Sequence, residues 1–588
     1  MSGVENPQHL TSITAPAALA LFSNPSVELE NVRVTGEVDL RSAHVSGPVR
    51  IHNCVFEGAV DATDARFDRS VQFTNCEFEK GLSLAHARIN GPLDLSGSVL
   101  KPANGAVHML FRDLHVEGCI EGTRLRVECG LNFSDLECGA AFRLHGANVK
   151  GDLLLNSAYL EGELDLGDCE AYGSNPAART DITEVLNADC AHIESRVLLV
   201  GTKLGSARFE QAQIEGTMLL SPGRHTSTQV ELGVATEAGK PPDGCSLSLL
   251  GATLEGSLEL RGAKLHGSLR VSNAKVGCYL TIDRGEILGQ EVPTSLGASR
   301  RGAALRVTST CVQGAMTLGR VEFAGSINAS NSDIALVEID KECVKNLKSL
   351  FSRLLSDYPN GVLDLEGLKF GRLSLLEKRK AVDAAAFDYL ELLSLTKFNE
   401  GTYASVEGWL RLNAKDDDAD EIFREMRKME KAQRRKRWER FPLRSKLSLW
   451  PKRIFLSPIG FFFGYGTRSL PGCVLWLATF AFSWCLFSGA SALEETEKAD
   501  PATISKTPGR WDRFDVVLRI HLPIIPWFSD PVWKPATNII PRPSGLNPRV
   551  PWPEVRYDTL ATALLILNVA NVTLIIASLS GLLKRRGS

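Results

Sequence analysis

Residues 36–101 decide the fold: GEVDLRSAHVS, GPVRIHNCVFE, GAVDATDARFD, RSVQFTNCEFE, KGLSLAHARIN, GPLDLSGSVLK. The stretch cuts every 11 residues without a gap, on the consensus G-x-L-x-L-x-x-A-x-V-x. A second run starts at Gly118 (GCIEGTRLRVE, CGLNFSDLECG, AAFRLHGANVK, GDLLLNSAYLE, GELDLGDCEAY), and further copies start at Gly256, Gly267, Cys278, Ala303, Gly314 and Gly325. Each copy carries two short period-2 pairs, in the second copy Val49/Ile51 and Cys54/Phe56, which is the strand signal. An 11-residue period also suits a right-handed helical coiled coil. That reading fails because Gly recurs at the copy boundaries and the apolar residues stand two apart, not three and four.

Strands this short cannot bury a core as a flat sheet. They can if the chain coils, so that equivalent positions stack about 4.8 Å apart along an axis. Asn53-Cys54-Val55-Phe56 recurs as Asn75-Cys76-Glu77-Phe78, which sets one coil at two copies, 22 residues. The expectation is a mainly β chain: a parallel β-helix, taken as right-handed, followed by a small α-helical module and two transmembrane helices. The β-helix is set at 27–340, and residues 27–335 would give on the order of ten coils, a rod of roughly 50 Å. Leu, Val and Ile would form inward ladders, and Gly or Asn would take the corners with positive φ. Residues 173–184, 221–243 and 289–302 lack the pattern and read as loops. Residues 1–26, with a short helix from Ala15 to Phe22, read as a cap over an otherwise open strand edge.

Cys54, Cys76 and Cys169 occupy the small inward position held elsewhere by Ala43, Ala65, Ala87, Ala147, Ala158 and Ala263, so they read as small buried hydrophobes. The 13 cysteines include no CxxC pair, which argues against a disulfide framework or a zinc site. His44, His52, His86 and His145 fall on outward or corner positions, where a solvated imidazole is the ordinary expectation. The formal net charge of −3 selects no partner, but the bias is local. Residues 27–172 hold 23 acidic and 13 basic side chains, and residues 424–453 hold 13 basic against 3 acidic.

Beyond Asp340 the apolar period shifts to three and four, and residues 341–440 read as a helical module. Tyr403, Val406, Trp409 and Leu410 mark one face; Ile422, Phe423, Met426 and Met429 mark another. Asp416, Asp418 and Asp420 resemble the start of a calcium loop, but Glu421 stands where Gly is needed and Arg427 where a bidentate Glu is needed. A basic run follows: Lys431, Arg434, Arg435, Lys436, Arg437, Arg440, Arg444, Lys446, Lys452 and Arg453, in a juxtamembrane segment that extends over 441–468. Leu470 to Ala492 carries no charge and is long enough to span a bilayer, which sets a first span at 469–493. Thr559 to Leu583 is a second (559–583), ended by Lys584, Arg585 and Arg586 in the tail 584–588. Positive charge beside both spans predicts a two-pass protein of the inner (cytoplasmic) membrane of a bacterium, N- and C-termini in the cytoplasm and the Pro- and Trp-rich segment 494–558 outside. The chain opens without a signal-peptide pattern, consistent with a cytosolic rod.

The expected partners are therefore anionic lipid headgroups and a cytosolic protein, with a homo-oligomer as a further candidate; the position of the basic run beside a span argues against nucleic acid. Asn568 and Asn571 stand three apart on one face of the second span and need partners in hydrocarbon, from the first span or another subunit, or else line a pore. Val516 to Phe528 reads as a segment lying on the membrane surface. Phe463-Gly464-Tyr465-Gly466 echoes a potassium filter but precedes the first span and reads as a turn.

The order of parts resembles a family of bacterial membrane proteins with degenerate pentapeptide-like repeats. The resemblance rests on the repeats, the helical pair Tyr403 to Arg437, the turn Gly464-Tyr465-Gly466-Thr467-Arg468, and the closing Ser580-Gly581-Leu582-Leu583-Lys584-Arg585-Arg586. Relatives often bear the label membrane-associated oxidoreductase. The sequence holds no GxGxxG after a strand, no P-loop, no CxxCH and no HExxH, so no catalytic residue, cofactor or metal ligand is assigned. Three functions compete: a non-enzymatic scaffolding or sensing module at the membrane, an oligomeric membrane effector or channel subunit, and the oxidoreductase of the label.

Overall fold

A computed structural model describes residues 10–103, 106–170, 177–224, 228–233, 244–289, 291–293, 299–353, 362–377, 380–381, 389–396, 398–439, 470–489, 491–495, 507–522, 533–540 and 555–579. The chain divides into two compact units, Met1–Ser405 and Val406–Ser588.

The first unit is a parallel β-helix with four-sided coils. In one coil the chain runs through Val38–Asp39, His44–Val45, Val49–His52 and Val55–Phe56, then starts the next at Val60–Asp61. Val60–Asp61 pairs in parallel with Val38–Asp39, and Val71–Thr74 with Val49–His52. On the first side Val38 N–H donates to Ala59 O (2.9 Å) of the following coil; past the corner Arg66 N–H donates to Ala43 O (2.8 Å) of the preceding one. Backbone groups of described coils thus find partners above and below, which is what lets two-residue strands persist. The step between coils is visible in the core, where Phe56 stacks on Phe78 at 4.9 Å and Phe111 on Phe133 at 4.8 Å.

Alternation along each side sends one set of residues inward. Val38, Leu40, Val45, Val49 and Ile51 are all buried, while Asp39, Arg41, His44 and Arg50 are exposed. Cys54, Cys76 and Cys169 are buried in the inward set. Burial pushes the Cys54 and Cys76 thiols above their ordinary range and that of Cys138 up to about 11.

The corners bear out the expectation of Gly or Asn at positive φ, as at Gly97, Gly146, Gly251 and Gly262, and other short polar residues share the place. Positive φ recurs just before the small inward residue, at Asn31, Ser42, Asn53, Asp64, Asn75 and His86, with values of 52–59°. Short polar side chains dominate there because they tolerate the left-handed region best. Most copy-initial glycines serve another need, close approach of the preceding coil. A Cβ on Gly58 would lie 2.1 Å from Gly36 O, and one on Gly314 2.3 Å from Cys278 O.

Insertions leave the coil at corners and the chain returns in register. Leu93 pairs with Ile120, Leu164 with Val197, Met218 with Leu258 and Leu280 with Met316. The expected loops are shorter than their sequence patterns suggested: Asp181–Asn187 and Glu231–Leu232 are ladder strands, and Glu291–Pro293 with Ser299–Arg301 forms an antiparallel hairpin. The N-terminal segment also joins the ladder, Thr11–Thr14 pairing with Val32–Thr35, before helix α1 (Ala15–Leu21).

The repeat boundary at 340 is likewise corrected. Helix α2 (Lys341–Arg353) is an excursion, after which Leu363–Asp364 and Lys369–Glu377 pair in parallel with Ile327–Asn328 and Asp333–Asp340. The copies there keep the G-x-L-x-L start (GVLDLEGLKF and GRLSL, from Gly361 and Gly371), but the first is one residue short, Leu368 takes the small eighth place, and a helix separates them from the run before. Helix α3 (Tyr389–Ser394) follows. Helices α4 (Glu400–Leu412) and α5 (Asp416–Glu439) meet at a turn in which Ala414 has a φ of 57° and Lys415 N–H donates to Leu410 O (2.9 Å). Arg411 then reaches Asp420 (3.0 Å) and Asp416 (3.4 Å). Met429, placed on the apolar face of α5 by its spacing, is exposed.

Candidate functional site: a buried polar cluster in the C-terminal helices

Helices α6 (Leu470–Phe487), α7 (Arg510–His521) and α8 (Tyr557–Leu579) pack on one another in the second unit. Their shared core contains Phe487, Val516, Val517, Ile520, Tyr557, Ala561 and Leu564. Leu493–Glu495 pairs antiparallel with Trp533–Pro535 beside it. Helix α7 packs its apolar face on protein: Val516, Val517 and Ile520 are buried against α6 and α8, and the end of the expected surface segment, 523–528, lies outside the described residues. Among the described residues no helix is long and apolar enough to cross a membrane.

Inside the helix trio sits a node of polar groups. Asn568, expected to seek a partner across helices, places Oδ1 3.1 Å from Thr479 Oγ1 of α6. Its Nδ2 points at His521 Nε2 of α7 (3.4 Å), and Ser483 Oγ of α6 lies 2.9 Å from the same nitrogen. Trp476 Nε1–H donates to His521 O (3.3 Å). Ser483, His521 and Asn568 are each 0 % exposed, and the Trp476 and Phe480 rings stand edge-on to the imidazole. The Asn568 amide N–H can only donate, which favours Nε2 as the acceptor of this contact, and Nδ1 is buried with no hydrogen-bond partner among the described residues.

A Ser–His contact of 2.9 Å invites comparison with a nucleophile and its base. Here the pair is sealed from solvent, and no carboxylate among the described residues orients the ring. What the node does is tie three helices together at one depth. Asn571, one turn on, is 4 % exposed, with neither amide atom hydrogen-bonded among the described residues. His521, Ser483 and Thr479 carried no motif; the only sequence signal was Thr479 and Ser483 standing four apart in an apolar run.

Of the expected basic cluster, Lys431 and Arg435 are exposed on α5, and Arg434, Lys436 and Arg437 lie within that helix. Arg440, Arg444, Lys446, Lys452, Arg453, Lys584, Arg585 and Arg586 lie outside the described residues, as do Phe463 to Gly466. No group of three or more His, Cys, Asp and Glu among the described residues is placed to hold a metal ion.

On the rod the outward histidines are paired rather than merely solvated. His44 meets Asp68 (2.7 Å), His86 meets Asp113 (3.2 Å), His115 meets Glu137 (2.7 Å) and His145 meets Asp165 (2.9 Å). The coil geometry brings these partners together from adjacent coils, which their distance in sequence concealed.

Comparison with known proteins bears on the rod. Residues 51–99 match the pentapeptide-repeat family (9 copies). No curated protein and no solved structure matches the chain. Over those residues the rod is a pentapeptide-repeat β-helix.

Proposed function

We propose that the protein is a membrane-anchored scaffold: its β-helix offers columns of charged side chains to a cytosolic protein partner, and its C-terminal helices hold it in the cytoplasmic membrane. One observation carries the reading. In the second unit polarity runs inside out, with Ser483, His521, Asn568 and Asn571 buried while Val474, Leu477, Phe482, Ile566, Leu567, Val569 and Ile576 are exposed. In water that arrangement costs free energy twice, through exposed apolar area and through buried polar groups; in hydrocarbon the outward side chains are solvated and the inward groups need only one another. The uncharged runs 470–492 and 559–583 that contain these helices support it.

Extraction of membranes from an expressing host with alkaline carbonate tests the anchor. The full chain should remain in the pellet and dissolve only with detergent. Release into the carbonate supernatant would sink the proposal. A cysteine-reactive, membrane-impermeant reagent applied to intact cells should leave tags at both termini unlabelled.

A further inference from the structure

The outward charges of the rod are mostly neutralised by a neighbouring coil. Arg50 meets Glu28 (3.0 Å), Arg143 meets Glu121 (2.9 Å) and Glu163 (3.2 Å), and Lys264 meets Glu286 (3.1 Å). Arg66 and Arg88 stack in register, but Arg66 keeps Asp68 at 3.0 Å; one further column holds two adjacent arginines that both lack such a partner among the described residues. On the side of the coil that begins with Val38–Asp39, successive rungs in register place Arg208, Ser248, Arg270, Arg306, Asn328 and Asp364 above one another. Arg208 is ion-paired with Asp189 (2.9 Å) and Glu210 (3.6 Å). Ser248 Oγ–H donates to Glu210 (2.7 Å), which occupies that carboxylate further. Arg270 and Arg306 are direct register partners on adjacent coils, both half-buried, and neither is paired with a carboxylate among the described residues.

Two parallel guanidinium stems about 4.8 Å apart repel one another, more so where water is partly excluded. Their field reaches the neighbouring thiol of Cys245, where it offsets part of the rise that burial imposes. Two positions further along the same two turns, Thr308 Oγ1–H donates to Ser272 Oγ (2.9 Å), so hydroxyls and not acids flank the pair. The positive stretch is short. Above it Arg208 is already neutralised, and below it stand an amide and then an acid.

We propose that Arg270 and Arg306 form a binding site for a single phosphate-class oxyanion, gripped between guanidinium forks from adjacent coils. Guanidinium geometry matches tetrahedral oxyanions by paired N–H donors. The brevity of the positive stretch selects one such group over an extended polyanion. This assignment does not depend on whether the C-terminal helices enter a membrane.

The test is calorimetric titration of the purified full-length chain with inorganic phosphate against a chloride background. Wild type should show saturable binding. The double variant Arg270→Gln/Arg306→Gln should lose it at least about tenfold, a loss expected when charge-assisted bonds to an ion are removed, while Lys275→Gln on another side of the rod leaves it unchanged. In phosphate-free buffer the double variant should melt no lower than wild type, because it relieves repulsion; this also shows that it folds. Arg270→Lys/Arg306→Lys, which keeps charge without the fork, should retain part of the affinity. Absence of binding at millimolar phosphate, or equal binding by wild type and the double glutamine variant, overturns the proposal.

Discussion

At the scale of single residues the rod is organised by what each side chain meets one coil away. His145 and Asp165 illustrate this on the side that carries Arg143. The hydrogen bond and charge of Asp165 raise the His145 pKa above its ordinary 6.5, against the opposing effect of burial. Burial by itself would raise Asp165, but His145 and the Gly167 N–H outweigh it and bring its pKa below 3.8. A histidine raised on folding contributes stability below about pH 6.5, lost as pH climbs through the folded value; a depressed aspartate contributes above about pH 4, lost on acidification. The pair therefore contributes fully only between those limits. Replacing His145 by Gln should lower stability by about 1 kcal/mol or less at pH 5.5 and by clearly less at pH 8.5, since the pair is partly exposed. Denaturant titration at the two pH values reads this, and an equal cost at both would mean that the pair does not titrate as a unit.

At the scale of elements, glycine means opposite things in the two units. Gly277 lies where the preceding coil closes in, and a methyl there would meet Glu255 O at 2.2 Å. Gly408 lies in the interior of α4, where a methyl would meet nothing within 4 Å. Gly277→Ala should cost about 1–3 kcal/mol through forced backbone displacement. Gly408→Ala should gain about 0.5–1 kcal/mol through helix propensity and a less flexible unfolded chain. Chemical denaturation of the two variants beside wild type reads both signs. Loss of stability in Gly408→Ala would show that this face of α4 is not open.

At the scale of the whole molecule, the two units have separate cores and report to separate probes. All 9 tryptophans lie in 406–588, and the first unit has none. The buried thiols of Cys54, Cys76 and Cys138 lie in the first. Burial keeps these thiols protonated and inert in the folded rod. In a denaturant series the tryptophan fluorescence transition and the onset of labelling at these three cysteines should fall at different concentrations, because each unit unfolds on its own. Coincident midpoints would show that the chain unfolds as one cooperative body.

The sequence by itself determined the coil. An 11-residue period with apolar residues two apart has one economical way to bury them, and the inward set, the small cysteines and the 22-residue step follow from period alone. It also exposed two uncharged runs near the C-terminus and two amides within the second. Tertiary structure decided what periodicity cannot encode. The coils at Asp181–Asn187 and Lys369–Glu377 stand beside an irregular segment or behind a helix, and only their pairing with a neighbouring coil shows that the ladder continues through them. Which glycines need space and which corners need positive φ depends on the approach of a neighbouring coil. The pairing of His145 with Asp165, the meeting of Thr479, Ser483, His521 and Asn568, and the unneutralised stack of Arg270 on Arg306 all join residues far apart in sequence. Their chemistry exists only once the chain has brought them within a few ångströms, where desolvation and Coulomb forces become strong enough to matter.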